Sequence, residues 1–242
     1  MSYMINIIKK IWQKRWIFRS IFSSIYFNFH YLPIRQAIKL PIILYKPKLL
    51  SCKGKIIIKG DIKPAMITLG KYAVSIYPNS GIIYENHGGQ IIFDGNCFIG
   101  NNSAISIGSH GYLAFGNNFA ATTSLKIISY HHIEFKNNNL CGWDCLFLDT
   151  DFHQLTPLSS TEKPPKAYSP IIIGENNWFA LKCTVLKGTR LADNNIIAAY
   201  SLLNRDYSES SYCLLAGSPA KIKKTGIYRN PLKDKILYHD EF

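Results

Sequence analysis

Apolar residues recur every six positions along much of this chain, with polar and small residues between them. From Ile173 to Leu203 the spacing is unbroken, and upstream it returns in three groups of three. The positions are Phe93, Ile99, Ile105, Phe115, Ala121, Ile127, Phe135, Cys141, Phe147, Ile173, Phe179, Val185, Leu191, Ile197 and Leu203. A period of six fits neither the 3.6-residue repeat of an amphipathic helix nor the simple alternation of a half-buried strand.

Three such hexads per turn predict a triangular prism of short parallel strands, with the apolar column filling its centre. An asparagine stands three residues after six of the apolar positions. Because Asn visits the left-handed backbone region at low cost, we expect it to mark tight corners. These residues are Asn96, Asn102, Asn118, Asn138, Asn176 and Asn194. The pattern predicts an all-β fold over residues 51–224.

The longest interruption of the repeat lies between Phe147 and Ile173 and predicts an excursion loop over residues 148–172. Loops of this size in a compact domain are usually functional or disordered. The excursion begins with Asp149, Asp151 and His153. A histidine can serve as a general base near neutral pH, and an extended chain would place Asp151 on the same side as His153. Either aspartate is a candidate to orient the ring or to contact a substrate, and a solvated loop histidine is the alternative.

His153 also lies six residues after Phe147, on the phase that points into the prism. If the repeat continued through this position, the imidazole would be buried. The chain must therefore leave the prism at or before His153 for the residue to act as a base.

The basic charge is concentrated at the beginning of the chain. The whole sequence has a net charge of +13, and residues 1–50 contain nine Lys or Arg and no acid. Residues 3–30 carry an apolar stripe typical of a helix, which either packs on the prism or on a neighbouring copy, or lies on anionic lipid. No nucleic-acid recognition motif accompanies the charge. We expect a helical segment over residues 1–50 and a short tail over residues 225–242.

The six cysteines are scattered and do not form the paired spacing of a zinc ribbon, which favours reduced thiols. The N-terminal charges are mixed with the apolar residues, unlike a signal peptide. We therefore expect a cytoplasmic protein, with peripheral membrane contact through residues 1–30 as one interpretation of the helix. No set of three converging histidines can be assembled, so no metal is expected.

Two segments carry a family resemblance: "IIIGENNWFALKCTVLKGTRLADNNIIAAYSLL" (171–203) and "LAGSPAKIKK" (215–224). Together with the hexads over residues 91–224, they resemble the left-handed parallel β-helix of the hexapeptide-repeat acyltransferases. The sugar O-acetyltransferases of surface-polysaccharide clusters are the most similar group. The resemblance implies acetyl-CoA as co-substrate and a homotrimer whose sites lie between neighbouring prisms.

The same resemblance implies roles for individual residues. His153 would be the general base, Asp151 its neighbour, and Asp149 or Asp151 a contact to the acceptor. Trp178 would lie by the cofactor or acceptor, and a backbone N–H of Ala180–Leu181 would stabilise the oxyanion. The other implied cofactor contacts are Ala199, Arg205, Lys221 and Lys224. Each could instead be a surface residue, and Tyr200 replaces the glycine of the family pattern.

The expected activity is transfer of an acetyl group from acetyl-CoA to a sugar hydroxyl of a bacterial surface polysaccharide, without an acyl-enzyme. N-acetylation of a nucleotide-linked amino sugar is the alternative. A non-catalytic β-helix that acts as a scaffold or glycan-binding module is a further one.

Overall fold

The computed structural model describes residues 2–159, 161–230 and 233, and for residues 2–16 the backbone alone. Two helices come first, α1 (Ser2–Tyr31) and α2 (Ile34–Ala37). The strands that follow are β1 (Ile42–Leu44), β2 (Lys48–Cys52), β3 (Lys55–Ile58), β4 (Ile67–Lys71), β5 (Ile82–Asn86), β6 (Gln90–Phe93), β7 (Cys97–Gly100), β8 (Ser103–Ile107), β9 (Tyr112–Phe115), β10 (Phe119–Thr123), β11 (Lys126–Ser129), β12 (His132–Phe135), β13 (Leu140–Trp143), β14 (Leu146–Leu148), β15 (Ile171–Ile173), β16 (Trp178–Phe179), β17 (Thr184–Leu186), β18 (Arg190–Leu191), β19 (Ile196–Ile197), β20 (Leu202–Leu203), β21 (Asp206–Tyr207), β22 (Cys213–Gly217) and β23 (Ala220–Thr225).

Successive strands join three parallel sheets in strict rotation. The first sheet takes β1 and every third strand up to β22, the second runs from β2 to β20, and the third from β3 to β21. Among the described strands, β23 alone departs from this order, because it pairs antiparallel with β22 and closes the end of the first sheet. The prediction of an all-β, left-handed parallel β-helix with an N-terminal helix is confirmed.

The column of sixth-position residues fills the centre of the prism. Every one of its members, from Phe93 to Leu203, is at most 3% exposed. The rings of Phe93 and Phe135 stack on the two sides of Phe115, at centroid distances of 5.2 and 5.7 Å. Burial of each large apolar side chain stabilises the fold by about 1.5–3 kcal/mol, so this column is the main source of stability.

The predicted asparagine corners are confirmed at five of six positions. Asn102, Asn118, Asn138, Asn176 and Asn194 have φ between 58 and 62°. Neighbouring corners are also linked by side-chain amides, for example from Asn118 Nδ2 to Asn138 Oδ1 at 3.2 Å. The prediction is wrong at Asn96, which is not in the left-handed region.

A second asparagine column, which the sequence pattern did not predict, lies inside the prism. Asn139, Asn177 and Asn195 are at most 1% exposed. The side-chain oxygen of each accepts a backbone N–H from the next coil, on Asn177, Asn195 and Cys213 respectively, at 3.1, 2.8 and 2.9 Å. The column therefore bonds successive coils through side chains as well as through the sheets.

Helix α1 covers the free edge of the first sheet. Ser20, Ser24 and Asn28 face β1, and their side-chain oxygens accept the N–H groups of Lys46, Leu44 and Ile42 at 2.9, 2.9 and 3.1 Å.

The amide of Asn28 also donates to the Ile42 carbonyl at 2.7 Å. Four helical residues advance about 6 Å and two strand residues about 6.8 Å, so the two spacings match. The helix thus replaces a neighbouring strand at an edge that would otherwise expose unpaired backbone groups.

The predicted apolar stripe extends beyond the part of α1 whose side chains the structure describes. Met4, Ile8, Ile11, Trp12 and Trp16 lie outside the described side chains. In the described part of the chain, no helix combines the length and the apolar character needed to cross a membrane. The first strand begins at Ile42, within the segment that the sequence analysis assigned to the N-terminal region.

Candidate active site

The excursion loop leaves the prism after β14, at the corner between the second and third sheets. Asp149 is fully buried there. Its carboxylate accepts the N–H groups of Tyr130 and His131, both at 2.9 Å, and the hydroxyl of Ser129 at 3.1 Å. A residue enclosed in this way anchors the corner. This position does not fit the predicted contact between Asp149 and the acceptor.

The two ends of the loop are hydrogen-bonded to each other just beyond the corner that Asp149 anchors. The Asp151 N–H donates to the Ala167 carbonyl at 2.7 Å, and the Ser169 N–H donates to the Asp149 carbonyl at 3.1 Å. Thr150 and Tyr168 face each other between these bonds in an antiparallel bridge. The chain has therefore left the prism before His153, as the candidate base requires.

His153 is exposed in the first turn of the loop. Its backbone N–H donates to the Asp151 carbonyl at 2.7 Å. The imidazole makes no hydrogen bond or ion pair with any residue of the described chain. The preceding Phe152 has a φ of 61° and packs edge-on against Tyr130 at 4.9 Å. The turn is thus tied to the prism while the imidazole stays open to a ligand.

Asp151 does not orient this ring. Its carboxylate forms an ion pair with Lys187 Nζ at 2.6 Å. The same ammonium group also donates to the Lys166 carbonyl, at 2.7 Å. Lys187 therefore connects β17 to both ends of the loop. The predicted pairing of Asp151 with His153 is absent in this chain because the ammonium group holds the carboxylate.

The residues predicted to bind cofactor are centred on the first sheet. Trp178 opens β16 with 36% of its surface exposed. The Ala180 N–H donates to the Ile197 carbonyl at 2.9 Å and is thereby occupied. The Leu181 N–H has no acceptor among the described residues. Of the two predicted oxyanion donors, only Leu181 is available to a substrate.

The adjoining corner holds polar and aromatic side chains that the sequence analysis did not select. Lys182 and Tyr200 both take left-handed conformations, with φ of 55 and 59°. The Lys182 ammonium lies 5.3 Å from the centre of the exposed Tyr200 ring, which suits a cation–π interaction. Ala199, beside Tyr200, is exposed as a small cofactor-facing residue must be.

A loop between β4 and β5 reaches the same corner from several coils away. The Tyr77 hydroxyl donates to the Asp144 carboxylate at 2.5 Å, and its ring meets Trp143 edge-on at 5.8 Å. Desolvation and then the bond to Asp144 raise the pKa of Tyr77 to about 12, so the phenol stays protonated. The contact joins residues 67 apart, and the hexad pattern carries no signal for it.

The three predicted phosphate-binding cations are all exposed but do not form one group. Lys221 and Lys224 lie on β23, in the same sheet as Trp178. Arg205 lies between β20 and β21, at the corner from which the excursion loop also emerges. The structure thus gathers two of the three cations on the sheet of the predicted cofactor residues.

The buried cysteines are not suited to carry an acyl group. Burial raises the pKa of the Cys97 and Cys141 thiols, both of which lie inside the prism. Since the thiolate is the reactive form, these thiols are poor nucleophiles. Among the described residues, no group of three or more His, Cys, Asp or Glu side chains is placed to hold a metal ion.

Two bacterial proteins are similar to this chain over about two thirds of its length. The uncharacterized 24.8 kDa protein in the cps region of Klebsiella pneumoniae is 30% identical over 165 residues, which are 68% of this chain and 72% of that protein. The chain belongs to the hexapeptide-repeat acyltransferase family. Another relative of this acyltransferase is the putative lipopolysaccharide biosynthesis O-acetyl transferase WbbJ of Escherichia coli (strain K12). It is 26% identical over 170 residues, 66% of this chain and 86% of that protein.

Among solved structures, the polySia specific acetyltransferase NeuO superposes on this hexapeptide-repeat acyltransferase with a TM-score of 0.49 and 18% identity. The match covers 82% of this chain and 86% of that one. No protein-family model matches the sequence.

Proposed function

We propose that this acyltransferase moves an acetyl group from acetyl-CoA to a hydroxyl of a sugar in a bacterial surface polysaccharide. The observation that carries the proposal is the imidazole of His153 at the mouth of a loop anchored to the β-helix. It is exposed and has no hydrogen-bond partner among the described residues. The acceptor class is supported by the cps-region relative and by WbbJ.

The residues on the first sheet fit the co-substrate. Ala199 and Trp178 offer a small and an aromatic surface, and Lys221 and Lys224 offer charge for phosphates. Tyr200, in place of a glycine, lies exposed at the adjoining corner beside Lys182. Acetyl-CoA supplies a thioester, whose carbonyl carbon is the electrophile.

The chain's own residues would provide two functions for this transfer. The imidazole of His153 accepts the proton of the sugar hydroxyl as the new C–O bond forms. The Leu181 N–H donates to the carbonyl oxygen, on which negative charge develops. The C–S bond then breaks, and the proton held by His153 passes to the thiolate. The products are an acetyl ester and the free thiol.

These two groups belong to different parts of one prism. His153 follows the second sheet, whereas Leu181 follows a strand of the first sheet. Reacting atoms must approach to about 3–3.5 Å, so a base and an oxyanion donor must share one cleft. We therefore propose a homotrimer in which the loop of one copy faces the first sheet of the next.

The test measures thiol release from acetyl-CoA by the full chain with a purified bacterial polysaccharide as acceptor. His153→Ala should lower kcat about 10²–10⁴-fold and leave the KM for acetyl-CoA unchanged, because only the base is lost. His110→Ala is the matched control, since His110 is another exposed corner histidine and should tolerate the change.

Three outcomes would contradict the proposal. Activity retained by His153→Ala would remove this residue as the base. Turnover with a nucleotide-linked amino sugar but not with polysaccharide would assign N-acetylation instead. A chain that neither binds nor turns over acetyl-CoA would be a scaffold or a glycan-binding module.

A further inference from the structure

The outward side of α1 is covered with large apolar side chains. Seven of them are between 37 and 69% exposed, and Phe22 is the most exposed. They are Ile17, Phe18, Ile21, Phe22, Ile25, Tyr26 and Phe29. At 3.6 residues per turn these positions occupy about half of the helix circumference. Such a surface is larger than the scattered apolar residues that are normal on a soluble protein.

The orientation of this face is fixed by the opposite side of the helix. Ser20, Ser24 and Asn28 are buried and bonded to the backbone of β1 and of Lys46 just after it. Rotating α1 to bury its apolar side would break these bonds and leave the edge of the first sheet unpaired. The helix therefore buries these polar residues together with Phe27 and presents its wider apolar side outward. An ordinary surface helix buries its apolar side instead.

A groove extends the apolar face onto the β-helix. It has a volume of about 380 Å³ and lies between α1 and the chain around β1. Ile17, Ile21 and Ile25 form one wall, and Leu40 and Ile43 contribute to the other. This volume is sufficient for part of an acyl chain beside the aromatic residues of the helix.

The residues around this face are basic. Arg19 on α1, Arg35 on α2 and Lys39 after it are exposed, and Ile34 and Ile38 are exposed between them. No acidic residue occurs in residues 1–50. A second copy of the same surface would bring cations against cations, whereas an anionic bilayer would neutralise them.

We propose that this face, formed by the described part of α1 and by α2, docks the protein onto an anionic phospholipid surface. The helix lies in the interfacial plane, with Phe18, Phe22 and Phe29 in the acyl boundary and the arginines at the headgroups. The β-helix is held against the membrane by the same bonds that cover its first strand. This inference does not depend on the proposed acetyl transfer.

The experiment is co-sedimentation of the full chain with vesicles. We expect binding to mixed phosphatidylglycerol–phosphatidylcholine vesicles, weaker binding at high salt, and little binding to pure phosphatidylcholine. The double variant Phe18→Ser, Phe22→Ser should bind at least about tenfold more weakly, because two aromatic anchors are lost. Ile76→Ser is the matched control: Ile76 is 74% exposed, in the loop between β4 and β5.

Acetyl-CoA turnover with a soluble acceptor is measured on the wild-type chain and on the double variant and should be equal, so that failure of docking and failure of the proposed function are distinguished. The proposal is overturned if the wild-type chain does not pellet with anionic vesicles, or if Ile76→Ser loses as much binding as the double variant. It is also overturned if the double substitution lowers the mass in solution while vesicle binding persists, because the face would then join copies of the chain.

Discussion

Two aspartates in the same short segment have opposite environments. Asp149 is buried and accepts three hydrogen bonds, whereas the Asp151 side chain is 42% exposed and paired with Lys187. Hydrogen bonds to a buried carboxylate are among the stronger ones in proteins, while exposed ion pairs contribute little. Loss of Asp149 therefore removes a buried anchor, whereas loss of Asp151 removes a partly exposed ion pair.

The expected consequence concerns stability. Asp149→Ala should lower the free energy of unfolding by about 2–4 kcal/mol, because the Tyr130 and His131 N–H groups lose their acceptor. Asp151→Asn, the matched comparison, should cost less than about 1 kcal/mol. Urea denaturation followed by circular dichroism at one protein concentration measures both. Equal losses would show that Asp149 is not an anchor.

The identity of the candidate base was accessible from the sequence, whereas its partner was not. The interruption of the hexads between Phe147 and Ile173 is visible in the sequence, and the chain does leave the prism before His153. The orientation of Asp151 depended on Lys187, more than thirty residues further along, and no local pattern encodes that ion pair. Spacing predicts where a side chain is presented, but not which distant charge reaches it.

At the scale of elements, α1 takes the place of a strand at the edge of the first sheet. Ser24 accepts the Leu44 N–H, while Ser23, one residue earlier, has no described side-chain hydrogen bond. Ser24→Ala should therefore destabilise the first coil by about 1–2 kcal/mol, and Ser23→Ala should have little effect. Amide hydrogen exchange at Leu44 is the direct measurement.

If amide hydrogen exchange at Leu44 is faster in Ser24→Ala but not in Ser23→Ala, this supports the role of α1 in covering the sheet edge. Unchanged protection of Leu44 would mean that packing alone holds the helix. The sequence pattern predicted a helix here but not this contact. In the sequence, small polar residues at positions i, i+4 and i+8 look like a solvent-exposed stripe. Their contact with a strand edge is visible only in the fold.

The positions of these strands were predictable because the column of buried sixth-position residues determines them. Each sixth residue must be apolar to fill the prism, and five left-handed asparagines mark its corners. The corners at Tyr200 and Tyr212 were not predictable, since tyrosine rarely adopts positive φ and here does so at 59 and 56°. Neighbouring coils impose these conformations against the local preference.

At the scale of the whole molecule, the candidate base and the candidate oxyanion donor follow strands of different sheets. The proposed trimer can therefore be tested by combining variants of the two residues. Leu181→Pro removes one N–H, at the position before the left-handed Lys182, where a turn accepts proline. We expect this variant and His153→Ala to be nearly inactive when each is made alone. Co-expressed in equal amounts, they should recover up to about a quarter of the wild-type rate, because some clefts then combine two intact halves.

The control is Ser211→Pro, which alters the same turn position before Tyr212 and should remain active. Mixing the purified, fully assembled variants without exchange of subunits should restore nothing. If co-expression also restores nothing although mixed assemblies form, base and oxyanion donor act within one chain. Thiol release from acetyl-CoA is the readout, with mass measurement to establish that the assemblies are mixed.

The hydrogen bonds that close the base of the excursion loop affect how the loop can evolve. Because Asp151 and Ala167 are bonded across its base, the segment between them is tethered at two adjacent points and can vary independently. Doubling the length of such a loop costs only about 0.6 kcal/mol of closure entropy. Under the proposed function, acceptor preference can therefore diversify by exchange of residues 154–165 on an unaltered β-helix, with His153 and the Lys166 carbonyl bonded by Lys187 kept in place.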